Sequence, residues 1–72
     1  MLYVLEFLAI EAGDKRVLGR VTHRAKTIDL ACNRAKTMLK HVKVQDRMPD
    51  ICEVKDQMGK TLTVVVSAIG RA

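Results

Sequence analysis

Residues 27–42, TIDLACNRAKTMLKHV, decide the fold. Their apolar members Ile28, Ala31, Cys32, Ala35, Met38, Leu39 and Val42 recur at the i, i+3, i+4, i+7 spacing of a helix with one buried face. Asp29, Asn33, Arg34, Lys36, Thr37, Lys40, His41 and Lys43 make the other face, which is mostly basic. Thr27 is the expected N-cap, with Asp29 at the positive end of the helix dipole and Lys40, His41 and Lys43 at the negative end. Pro49, in the polar segment 43–50, prevents any continuation of the helix.

Upstream, residues 2–10 read as a strand rich in β-formers. Tyr3, Leu5, Phe7 and Ala9 fall on one side, and Leu2, Val4, Leu8 and Ile10 on the other, with Glu6 the one polar member. A strand apolar on both sides belongs inside a sheet. After a turn at 11–15, in which Gly13 can take positive φ, residues 16–26 return as a second strand. Its Leu18, Arg20, Thr22, Arg24 and Lys26 share one side, and such positive side chains protect a sheet edge.

Downstream, residues 51–56 and 62–68 form a second hairpin around Gly59. In its last strand Leu62, Val64, Val66 and Ala68 alternate with Thr61, Thr63, Val65 and Ser67. The more apolar set is expected to face the core together with Cys52 and Val54. The whole is one α+β domain, residues 1–72. Its order is ββαββ, a four-stranded, mainly antiparallel sheet in strand order 2-1-3-4 with one helix packed on one face.

This pattern resembles a scattered group of short bacterial proteins that are domains of unknown function. Their alanine-rich helix leads into a closing V-x-D-x-x-G-x-x-L. Here the helix supplies Ala31, Ala35, Met38 and Leu39, and the hairpin reads Val54, Asp56, Gly59 and Leu62 at that spacing. The resemblance covers about the last two thirds of the chain and rests on structural motifs; the helix and its lead-in depart from it in being unusually basic. It implies the fold and no activity.

Composition narrows the function. With 49% hydrophobic and 29% charged residues the chain is a folded globular one. Its single Tyr, single Phe and absent Trp leave an aliphatic core. So small a core gains from pairing with a second copy, and a homodimer is expected. One helix covers one side of the sheet, so Leu2, Val4, Leu8 and Ile10 are the expected partner face.

The net charge of +5 is uneven: residues 15–43 hold nine basic residues against one acid, a net +8. Arg20, Arg24, Lys26, Arg34, Lys36 and Lys40 are the candidate anion-binding set, and nonspecific nucleic-acid binding is the alternative function. Aromatic platforms for base stacking are scarce, and one helix cannot make a helix-turn-helix.

Candidate chemistry is sparse. Cys32 and Cys52 are expected to be packed thiols, and His23 and His41 surface residues, with no metal-ligand spacing among the four. No phosphate loop or nucleophile–base arrangement occurs, and no enzyme, cofactor or metal is expected. The apolar MLYVLEFLAI carries Glu6 and has no basic leader, and ten residues cannot span a bilayer. The expectation is a cytoplasmic protein with no membrane contact.

Overall fold

Ala12 and Gly13 both take positive φ, 51° and 85°, and so close the first hairpin in the mirror-image two-residue turn that suits strand twist. The computed structural model describes residues 1–67. Strands β1 (Leu2–Glu11) and β2 (Asp14–Arg24) precede helix α1 (Ile28–His41), and β3 (Ile51–Lys55) and β4 (Thr61–Val66) follow it. The sheet has the order β2-β1-β3-β4, every neighbouring pair antiparallel. The long apolar strand β1 is inside, and the arginine-bearing β2 is at an edge.

Helix α1 begins as the sequence dictates. The Thr27 hydroxyl accepts the Leu30 N–H at 3.3 Å, and the Val42 N–H returns to the Met38 carbonyl at 2.8 Å. Ala31, Ala35 and Leu39 are its buried residues, packed mainly over β1, β3 and β4. The core between the layers holds Tyr3, Leu5 and Phe7 of β1, Cys52 and Val54 of β3, and Val65 of β4. Phe7 is the largest fully buried side chain.

The segment after the helix is more ordered than a polar loop. Val44 and Arg47 exchange two backbone hydrogen bonds, 2.8 and 3.1 Å, across Gln45 and Asp46, both at positive φ. This small hairpin brings Val44 against the sheet at Gly19, where a Cβ would lie 2.9 Å from Val44 Cγ1. Gly19 therefore leaves room for the chain crossing it, and Pro49 is buried nearby in sequence.

One strand face is reversed from expectation. Cys52 and Val54 do face the helix, but their partners in β4 are Val65 and Thr63. Leu62, Val64 and Val66 turn to the other side. The cause is a register shift between Val54 and Lys55: Lys55 pairs with Thr61, Val54 with Thr63, and Leu62 is the extra residue. Because side chains alternate with period two, a slip of one residue exchanges the faces of everything beyond it. Ala68, expected to extend this strand, lies outside the described residues.

Candidate functional site: the open face of the sheet

The side of the sheet away from α1 is built on Glu6. Within β1 it lies among apolar residues and is only 4% exposed. A buried carboxylate needs compensation, and two strands provide it. Arg20 stands opposite in β2 and donates through Nε at 2.5 Å, while Lys55 Nζ of β3 lies 3.1 Å from the other oxygen. Lys55 also reaches Glu53 at 3.7 Å, Lys15 reaches Glu53 at 3.4 Å, and Thr61 donates its hydroxyl to Glu53 at 3.3 Å. A continuous ion-paired band thus crosses β2, β1 and β3, and the Thr61 hydroxyl extends it to β4. Burial is the largest single influence on the Glu6 carboxyl and pushes its pKa up, but Lys55 and Arg20 together outweigh it and hold it below the ordinary value.

Apolar side chains flank this band. Leu2 and Val4 are half-buried, Leu8 is buried, and Ile10 is exposed. The expected partner face does lie together on the open side, but Glu6 and its cations interrupt it, and Leu8 is covered by its own chain. The larger exposed row is on β4. There Leu62, Val64 and Val66 are 40%, 45% and 65% exposed, against 7% for Val65 between the last two.

The candidate anion-binding residues do not form one surface. Arg20 and Arg24 pair across from Glu6 and Leu2 on the open face. Arg34, Lys36 and Lys40 are exposed on the helix, which lies on the opposite face, and Lys26 falls between β2 and α1. Arg20 is already committed to Glu6. A cavity of about 180 Å³ lies beside the helix, lined by Lys36, Leu39, Lys40, Val66 and Ser67. It is below the size of ordinary ligand pockets.

The remaining candidates are structural. Cys52 is fully buried, and burial first, then the nearby Cys32, Glu53 and Glu6, pushes its thiol up to about 12. It stays protonated at neutral pH and is a poor nucleophile. Cys32 is half-buried against the core. His23 is half-buried on the helix side opposite Tyr3, and His41 is exposed at the end of α1. Among the described residues no group of His, Cys, Asp and Glu is placed to hold a metal ion, and no helix is long and apolar enough to cross a membrane.

Sequence reasoning missed the Glu6 band. Its available signal was a lone acid inside a strand of nine otherwise apolar residues, 2–10. Arg20 was not available from the turn, because a bulge lies between the two, and Lys55 comes from β3, which no turn joins to β1. Comparison of the chain with protein-family models, with curated proteins and with solved structures returns no match.

Proposed function

We propose that this chain is a small, non-catalytic oligomerisation or protein-interaction module of the cytoplasm, acting through the open face of its sheet. One observation carries the reading: β4 turns Leu62, Val64 and Val66 away from the core while Thr63 and Val65 face it. A lone domain of this size would gain by burying that row, and an exposed apolar patch bordered by polar groups is a feature of association surfaces. Leu2, Val4 and Ile10 extend the same face across the ion-paired band.

A second reading is weak, sequence-insensitive nucleic-acid binding. Its support is that Arg24, Lys26, Arg34, Lys36 and Lys40 are exposed and carry no acidic partner among the described residues. Light scattering from low micromolar to near-millimolar protein tests the first reading. Its expected result is a mass that rises to that of a dimer; a monodisperse monomer at the top of the range overturns self-association. Anisotropy of labelled random-sequence DNA, titrated at several salt concentrations, tests the second, which requires saturable binding that weakens steeply with salt.

A further inference from the structure

The two edges of the sheet are built differently. Strand β2 carries Arg16, Arg20 and Arg24 at four-residue intervals and a bulge at Val17 and Leu18. Charges and bulges are the devices that keep an edge from pairing. Strand β4, Thr-Leu-Thr-Val-Val-Val, has no charge, no proline and no glycine. Its one irregularity is at Leu62, which leaves Thr63 to Val66 straight.

The backbone at this edge is ready to pair. The Ser67 N–H donates to the Asp50 carbonyl at 3.0 Å, so Ser67 directs its backbone toward β3. Along an antiparallel strand this direction alternates. Val65 therefore pairs inward with Cys52, and Val66 and Val64 present their N–H and C=O groups at the outer side of β4. No described strand lies beyond them.

We infer that β4 is a homodimer edge: it pairs antiparallel with β4 of a second copy about a twofold axis at Val64, joining two sheets into one of eight strands. The inference rests on the oligomerisation reading above and narrows its contact from the open face as a whole to the β4 edge of that face. A second copy fits for three reasons. A twofold axis normal to the sheet keeps each face on its own side, so residues of like face must meet. With the axis at Val64, Val64 meets Val64 and Leu62 meets Val66, which brings the three exposed apolar side chains of each copy onto one another. Each copy carries +5, and this charge-free strand lets two such chains approach without setting like charges opposite one another.

The test is sedimentation equilibrium on the whole chain and on V64K and V64E, singly and mixed. Val64 is nearly half exposed in the protomer, so both charges are tolerated by the fold, checked by circular dichroism. The wild type is expected to dimerise. Each variant sets like charges together on the axis and should associate about tenfold more weakly or worse. The equimolar mixture sets Lys against Glu and should restore the dimer. Restoration by two substitutions at one position is specific to a residue on a twofold axis. A wild-type dimer that V64K leaves intact, or a mixture that is not restored, overturns the β4 edge and leaves the oligomerisation reading standing. A wild-type monomer throughout overturns both.

Amide hydrogen exchange on the wild type tests the same edge without any substitution. Protection of the Val64 and Val66 amides should rise with protein concentration. Protection that is independent of concentration, in a sample that is dimeric, overturns the edge.

Discussion

The two faces of this sheet solve the same problem in opposite ways. On the helix side, Tyr3, Leu5 and Phe7 are buried by a second layer, and removal from water supplies the stability. On the open side, the same strand buries Glu6, and cations from both neighbouring strands are required to keep it there. The helix side is a packed interior, tolerant of any shape-matched apolar set. The open side is a set of charge pairs whose value depends on register, flanked by the exposed Ile10, Leu62, Val64 and Val66. One face holds the fold together, and the other depends on which residues stand opposite which.

The sharpest way to break this contrast is to empty the helix side. Phe7→Ala should cost about 3–5 kcal/mol, enough to unfold much of so small a domain, and urea titration would read it. On the open side, Glu6→Gln should cost less, about 1–3 kcal/mol, because Lys55 retains Glu53 and Arg20 is solvated. Its pH dependence sharpens the point. The folded Glu6 pKa lies below its unfolded value, so its contribution is fully present above the unfolded pKa and is lost as pH falls through the folded one. The gap between wild type and Glu6→Gln should therefore close on acidification; a gap that stays constant would remove the ion pairs as the cause.

Strand β4 permits the comparison between adjacent residues. Val65→Ala, facing the core, should cost about 2 kcal/mol, and Val66→Ala, facing out, under about 0.5 kcal/mol in dilute protein. Equal costs from thermal melts of the two would mean the strand faces are not distinguished as described. The smallest effect belongs to the first turn. Ala12 holds a left-handed conformation that strains a side chain, so Ala12→Gly should raise stability by about 0.5–1 kcal/mol without altering either face.

By itself the sequence determined the elements and their order. The period of Ile28, Ala31, Ala35 and Leu39 specified the helix, Thr27 its start, and Gly13 and Gly59 the turns, because these are local conformational preferences. The doubly apolar β1 specified the centre of the sheet, and the arginines of β2 an edge, because burial and charge depend on residue type. Two single-residue bulges were decided only by the tertiary structure. From the turn at Ala12 and Gly13 outward, Glu11 pairs with Asp14, a register that would put Gly19 opposite Glu6. The bulge at Val17 and Leu18 advances it by one and sets Arg20 there instead. From the second turn, Lys55 pairs with Thr61, which would send Leu62 and Val64 inward; the bulge at Leu62 sends Thr63 and Val65 inward instead. Alternation along a strand shows which residues share a face. Which face is buried depends on register against the neighbouring strand, and a bulge changes register at no visible cost in local sequence preference. The Arg20–Glu6 pair and the exposed apolar row of β4 are consequences of those two insertions.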